Sequence, residues 1–489
     1  MVPARPLASR RSVLWALLPV VALVTTVYHF RSFEDIYTLA PEEGIPVELS
    51  HDVDSPPAVE VEVAVAEPTS PWCQVGECAV GRWVPRTPQF ETLEEMQAAY
   101  MNHYEDPWSH CPVYMDVNGH LIPDDEKPAL QAQRIVDLLN WEWQPDRGKL
   151  LDTNFEDFMV RLLRSPGGLV MIGDSITRQH HVALTYMVRQ LNLTFILNPD
   201  WIEYTDVNHV HQFVLHPSAQ ATALMEKAGV PPSRLKRPFL TLIQNHLSLS
   251  EADVRMVTHA DPNYVWKHAQ ARVDDWDKIV KHLATPAPGE DDTVTEDTVV
   301  LFNSGAHWSR GVLYLIPQST LEEEHRILTE AYRKMARIHI ERLRSVPRAK
   351  IFFRSTSPGH PSCQRLTRPY PNIVQAETAE ADPSKRLMVT GKNKEERFTF
   401  ARWDWDQFAP HNEIFREEIA RENARQSAPR GRPPRWHYLD VYNIALQRPD
   451  AHWEPGKDCL HWCTPVVVDE WTRQLLHQLA LVEGRLPDA

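Results

Sequence analysis

The chain has 489 residues, with 51 Lys plus Arg against 66 Asp plus Glu and a formal net charge of −15. That balance argues against nucleic acid and against anionic membrane surfaces as partners, because both are held by a basic face. Seventeen glycines against 40 prolines predict stiff, irregular connections around a regular core.

Residues 1–11 include Arg5, Arg10 and Arg11 and read as a cytosolic tail. Ser12 to Phe30 follows without a single Asp, Glu, Lys or Arg, rich in Leu, Val and Ala, with Trp15 and Tyr28 towards its two ends. Its nineteen residues are just long enough to span a bilayer, and aromatic residues suit the interfaces. With the arginines on the amino-terminal side, residues 12–30 are predicted to form a transmembrane signal anchor that leaves the bulk of the chain lumenal. A cleaved signal peptide is the competing reading, since the run is short and contains Pro19; no convincing small-x-small site follows it.

Residues 31–70 are acidic and Pro-rich, including Ser55-Pro56-Pro57 and Glu60-Val61-Glu62-Val63. Such a composition buries little and predicts an extended stem, with a short strand over Val59–Val65 as the alternative. Residues 71–489 contain no clean internal linker and are expected to form one elaborated domain. All six cysteines, Cys73, Cys78, Cys111, Cys363, Cys459 and Cys463, lie beyond the anchor. An even number in a lumenal domain predicts disulfides, for which six cysteines allow fifteen pairings. No pair has Cys-x-x-Cys spacing, and no metal site is predicted. Between Cys78 and Asp152, Trp83, Tyr100, Tyr104, Trp108, Trp141 and Trp143 either stack on sugar rings or pack a cover over the core.

Leu169 to Ile172 is an apolar run between Pro166-Gly167-Gly168 and Gly173, the pattern of a buried parallel strand. Gly173-Asp174-Ser175 comes next. Ala183, Leu184, Met187, Val188 and Leu191 then recur at helical spacing, so Ser175 falls where a strand hands over to a helix. Ligands of open α/β sheets bind at such carboxyl ends, where the helix start offers N–H groups and a positive dipole end to an oxyanion. The simpler reading is that Asp174 and Ser175 only cap the helix.

Further strand-like runs are Thr194 to Leu197, Phe239 to Ile243, Thr298 to Phe302, Ile351 to Phe353 and Tyr438 to Val441. A helix opens with a capping box, Thr320 with Glu323, and continues on one face through Leu321, Leu328, Ala331, Met335 and Ile338. Alternating strands and helices predict an α/β fold, a three-layer core around a mostly parallel sheet, elaborated by long loops. Asn303 follows one strand and is either an oxyanion donor or a turn residue. Arg354 and His360 follow the next, either to bind substrate or to pack. His180-His181 is an unconvincing metal pair, because neighbours on a helix point about 100° apart. Asn192-Leu193-Thr194 is a sequon for a lumenal glycan. Thr285–Asp297 and Arg425–Arg435 read as exposed loops.

Asp458 and His461 are three residues apart in Asp-Cys-Leu-His-Trp-Cys463. In a turn, that spacing lets the carboxylate hold one imidazole nitrogen while the other serves as a base. A serine hydroxyl needs such a base to become a nucleophile.

Gly173-Asp174-Ser175-x-x-Arg178 together with Asp458-Cys459-x-His461-Trp462-Cys463 resembles the trichome birefringence-like polysaccharide O-acetyltransferases and their PC-esterase relatives, members of the wider SGNH hydrolase group. Cys78-Ala-Val-Gly-Arg-Trp83, Trp141-Glu-Trp-Gln-Pro145, Asn303-Ser-Gly-Ala-His-Trp308 and Phe353-Arg-Ser-Thr-Ser-Pro-Gly-His360 resemble further elements of that family, from about Cys73 to the carboxyl terminus. The sequence departs from the family at Gln179, where Asn is common, at the inserted Ala306, and at Thr464-Pro465-Val466.

The resemblance implies an SGNH-like fold with an amino-terminal disulfide-containing cover. It implies a glycan O-acetyltransferase of the Golgi or secretory pathway, single-pass type II, working through an acyl-Ser175 intermediate with His461 as base and Asp458 as its orienter. The Ser175 N–H and Asn303 would form the oxyanion site; Arg178, Arg354 and His360 are the substrate-binding candidates. It also implies the disulfides Cys363 with Cys459 and Cys111 with Cys463, leaving Cys73 with Cys78. No bound cofactor is expected. The expected partners are a glycan or polysaccharide acceptor and an acetyl donor or a donor-supplying membrane protein. A carbohydrate acetylesterase with the same triad is the alternative, and a non-catalytic glycan-binding membrane protein the second.

Overall fold

The computed structural model describes residues 70–100, 110–152, 154–258, 272–313, 320–361, 363–389, 403–427 and 434–487. The predicted anchor over 12–30, nearly all of the stem, Tyr104, Trp108 and most of the loop ending at Arg435 lie outside these residues. No helix among the described residues is long and apolar enough to cross a membrane.

Two strands, β1 (Gly81–Pro85) and β2 (Trp141–Pro145), pair antiparallel outside the main sheet. The main sheet is built from β3 (Leu169–Gly173), β4 (Phe195–Leu197), β5 (Val210–Leu215), β6 (Leu240–Gln244), β7 (Thr298–Phe302), β8 (Ala349–Arg354) and β9 (Trp436–Leu439), in the spatial order β4-β5-β6-β3-β7-β8-β9. From β6 to β9 every pairing is parallel, and β4 and β5 close one edge antiparallel. A last antiparallel pair, β10 (His452–Glu454) and β11 (Asp458–Trp462), stands apart.

The run that begins at Leu169 forms the centre of the sheet because it is apolar on both faces, and all five residues of β3 are buried. Alternate side chains serve opposite layers. Leu169 and Met171 join one core with the helices α1 (Ser175–Arg189) and α4 (Val466–Glu483), while Val170 and Ile172 join a second with α2 (Leu321–Arg344) and α3 (Phe408–Ser427). Helices thus cover both faces of a mainly parallel sheet, the three-layer α/β architecture read from the sequence. The α2 start is capped by Thr320, whose hydroxyl accepts from the Glu323 N–H at 3.2 Å. Leu328, Ala331 and Met335 are buried as the periodicity requires, but Leu321 at the first turn is exposed.

β5 has no clear signal in Val-His-Gln-Phe-Val-Leu, because polar residues interrupt a strand whose far side is covered only by β4. Gly168 marks the entry to β3. Its φ is +63°, and a Cβ there would collide with the Phe239 backbone carbonyl, the acceptor of the Leu169 N–H at 2.9 Å. Gly168→Ala is expected to cost about 2–4 kcal/mol of stability. Denaturant unfolding measures this, and an unchanged midpoint would contradict the close approach.

The aromatic residues of the amino-terminal segment form a packed cover. Trp83 and Trp143 are buried edge to face at 5.9 Å. Their indole N–H groups donate to the carbonyls of Ile444 (2.9 Å) and Cys78 (2.8 Å). These two rings are committed to the core, which removes them from the sugar-stacking alternative.

Candidate active site

The nucleophile candidate sits where a buried strand meets a helix. Asp174 is the N-cap of α1: its Oδ1 accepts from the N–H of Ile176 at 3.0 Å and of Thr177 at 3.4 Å. Capping by Asp174 is therefore real, and it leaves Ser175 as the first residue of the helix with its N–H outside the cap. Gly173 fits this junction because a Cβ would meet the Thr177 hydroxyl and the Asn303 carbonyl at 2.5 Å or less.

Ser175 Oγ lies 2.8 Å from His461 Nε2, and His461 Nδ1 lies 2.7 Å from Asp458 Oδ2. The other Asp458 oxygen accepts from the backbone N–H groups of Leu460 (3.0 Å) and His461 (2.9 Å). Asp458 and His461 were expected in a turn, but they stand on β11. On a regular strand, residues three apart face opposite sides. The β10–β11 register shifts between His452 and Glu454, and this irregularity turns both side chains to one side.

Burial works to raise the Asp458 carboxyl, yet the His461 charge and the hydrogen bonds from His461 and Leu460 hold it well below the ordinary carboxylate range. Burial likewise disfavours the His461 imidazolium, but the Asp458 carboxylate outweighs it and the imidazole is raised above its ordinary value. An ionised carboxylate on Nδ1–H leaves Nε2 as the acceptor for the serine proton. The set can therefore generate a serine nucleophile.

The loop carrying the base is held from several sides. Cys459 is bridged to Cys363 and Cys463 to Cys111, so disulfides bracket His461, and Cys73 pairs with Cys78. Gln179 on α1 binds both backbone groups of Trp462: its Oε1 accepts from the Trp462 N–H at 3.0 Å and its amide donates to the Trp462 carbonyl. Gln179 thus joins the nucleophile helix directly to β11. The sequence showed it only as a departure from the family.

Three predicted site residues are used differently. Both amide hydrogens of Asn303 are committed, to the Arg354 carbonyl (2.9 Å) and the Thr356 hydroxyl (3.0 Å), while its Oδ1 has no partner. Flipping the amide would set oxygen against the Arg354 carbonyl, so Asn303 ties two strand ends together and donates nothing to an oxyanion. Arg354 is fully buried behind α1, with its guanidinium 3.0 Å from His180 Nδ1, 3.4 Å from Thr177 Oγ1 and over the Trp471 ring at 4.8 Å. His360 is also fully buried and contacts His452 and the Leu446 carbonyl. Neither reaches a substrate, because each side chain is enclosed by its partners. Arg178, in contrast, is half-buried on α1 one turn from Ser175, and its charge acts on His461.

His246, at the end of β6, carried no sequence signal, and His307 follows the inserted Ala306. The two rings stack at 4.1 Å, nearly parallel, and Trp403 meets His307 edge-on at 5.7 Å. Burial pushes His307 down to about 3, with the His461 charge adding to the effect, and lowers His246 well below its ordinary value. A neutral imidazole wall therefore flanks the triad. Among the described residues, the groups of three that could hold a metal are Cys73, Cys78 and His477, and His325, Asp404 and Asp406. The first contains a disulfide, and in the second Asp404 accepts from Arg310.

A family model for the PC-esterases, the GDSL/SGNH-like acyl-esterase family found in Pmr5 and Cas1p, matches residues 244–478. Xyloglucan O-acetyltransferase 4 of Populus trichocarpa is 22% identical over 395 residues, covering 74% of this chain and 76% of that protein. Protein trichome birefringence-like 25 of Arabidopsis thaliana is 23% identical over 403 residues, covering 74% and 72%. Protein trichome birefringence-like 9 of the same plant is 25% identical over 366 residues, covering 71% and 73%. With the family model matching residues 244–478 and relatives of 22–25% identity extending over most of the chain, the protein carries a PC-esterase domain, resembles the trichome birefringence-like proteins, and is an enzyme of the acetyltransferase and esterase kind.

Proposed function

We propose that the chain is a polysaccharide or glycan O-acetyltransferase that works through an acyl-Ser175 intermediate. The observation that carries the reading is the continuous hydrogen-bonded series Ser175–His461–Asp458 at 2.8 and 2.7 Å, on a chain whose relatives include a protein named for xyloglucan O-acetylation. His461 takes the proton of Ser175 as Oγ attacks the acetyl carbonyl of the donor. The Ser175 N–H at the helix start steadies the oxyanion. Collapse expels the donor's leaving group, which takes the proton from His461 and leaves acetyl on Oγ. A glycan hydroxyl then gives its proton to His461 and attacks the acyl carbonyl; the bond to Ser175 Oγ breaks, Oγ takes the proton back from His461, and the glycan leaves as its acetyl ester, giving ping-pong kinetics.

This reading places the domain in the lumen of the Golgi or secretory pathway behind a single type II anchor, with the acetyl donor or a donor-supplying membrane protein as second partner. The disulfides are the support for that compartment. Asn192 is exposed with φ +55° and suits glycosylation there. The test is incubation of the full-length chain with an activated acetyl ester and a panel of oligosaccharides, following acetyl by mass spectrometry beside Ser175→Ala. Acetyl on a sugar, lost in the variant, is the expected result. Ser175-dependent release of free acetate alone would replace transfer by hydrolysis.

The pH dependence has a definite sign. His461 acts as a base only when neutral, and Asp458 raises its pKa above 6.5 despite burial. Turnover, read as kcat/KM, is expected to fall on acidification through a pKa above 6.5. A profile flat down to pH 5 would contradict His461 as the base.

A further inference from the structure

His360, from the segment after β8, and His452, on β10, are both fully buried, and the proposed chemistry uses neither. Nδ1 of His360 and Nε2 of His452 are 2.6 Å apart. Each ring's other nitrogen faces a backbone carbonyl: His360 Nε2 lies 3.0 Å from Leu446 O, and His452 Nδ1 lies 3.0 Å from His461 O. Carbonyl oxygens only accept, so where both of these bonds are made, both outer nitrogens carry a proton. A neutral imidazole has one N–H and one lone pair. Two neutral rings bonded outward would therefore meet lone pair to lone pair at the inner contact.

We propose that His360 and His452 share a third proton across this contact, forming a singly charged pair that positions the base by clamping the His461 carbonyl. The surroundings set the balance. Trp462 stacks on His452 at 4.2 Å and offers its π face to the charge. The Asp458 carboxylate also favours it. Burial opposes it most strongly, holding His360 down to about 4 and His452 well below its ordinary value. So does Arg134 of the helix Lys127–Leu139, which donates to the carbonyls of His452 and of Asp450. Asp450 itself is neutralised by Arg448 at 3.0 Å. The shared proton therefore rests on the close inner contact and the two outer carbonyls. When the third proton leaves, two protons must serve three hydrogen bonds. In one of the two resulting tautomers the His452 proton moves to Nε2 and the His461 carbonyl loses its donor. The clamp is thus complete at lower pH and divided between tautomers at higher pH.

The positioning role rests on the reading of His461 as catalytic base; the proton count does not. The test uses full-length protein labelled with 15N-histidine, with His360→Asn and His452→Asn to assign the imidazole signals. The expected spectrum shows three protonated nitrogens on the two rings, one with a far-downfield N–H proton that disappears in both variants. Two protonated nitrogens at the pH of turnover would overturn the shared proton.

Kinetics test the positioning. His452→Leu is expected to lower kcat by a factor on the order of ten, with KM unchanged. His360→Asn, whose amide can donate to His452 Nε2 without a third proton, is expected to retain turnover and to remove any change on the alkaline side of the pH profile. Wild-type kcat in a folded His452→Leu protein would overturn the positioning role. Absence of Ser175-dependent turnover in the wild type would remove the catalytic reading while the spectrum still decides the proton count.

Discussion

Ser175→Ala is expected to reduce acetyl turnover by about 10⁴-fold or more while leaving the fold intact. The size follows from what is removed. Without Oγ there is no acyl-enzyme, and His461 and Asp458 are left with nothing to deprotonate except water or the acceptor in an unaligned position. Only binding and the helix-start N–H remain to favour the transition state. The structural cost is small: Ser175 is half-buried, the helix is capped by Asp174 rather than by Ser175, and alanine is well suited to a helix. Thermal unfolding measured beside turnover separates the two effects. An unchanged midpoint with lost acetyl transfer places Ser175 in the chemistry, and activity within tenfold of wild type would remove the acyl-serine from the mechanism.

The centre of this fold was readable because β3 is buried on both faces and its helix begins at once, so two hydrophobic periodicities meet at Ser175. The distant partners were readable as residues but not as geometry. A spacing of three suggests a turn, and only the irregular pairing of β10 with β11 explains how a strand presents Asp458 and His461 together. Asn303, Arg354 and His360 were placed correctly near strand ends, yet a strand end does not say which way a side chain turns. Their partners, Thr356, His180 and His452 among them, lie on separate elements, and those contacts decide that the side chains face inward. His246 was invisible for the same reason: a single histidine after a strand acquires meaning only when His307 stacks on it. Gln179 shows the converse, a departure from the family that the structure uses to bond α1 to β11.

The orientation of the base can be tested without changing the size of any side chain. In Asp458→Asn the side-chain oxygen can still accept from the N–H groups of Leu460 and His461, as Oδ1 does now at 3.0 and 2.9 Å. The atom facing His461 Nδ1, at 2.7 Å in the native protein, then becomes an NH2 donor. Nδ1 must accept that hydrogen bond, which moves the imidazole proton to Nε2 and points an N–H at the Ser175 hydroxyl. The base is lost through its tautomer while the backbone turn survives. A fall in kcat of roughly 10³- to 10⁴-fold is expected, with KM and the unfolding midpoint little changed. Whatever activity remains should persist to lower pH than in the wild type before falling, because the carboxylate that raises His461 is gone. Loss of activity accompanied by unfolding would mean that Asp458 serves the β11 turn first, whereas a variant as active as wild type would show that His461 needs no carboxylate to act on Ser175.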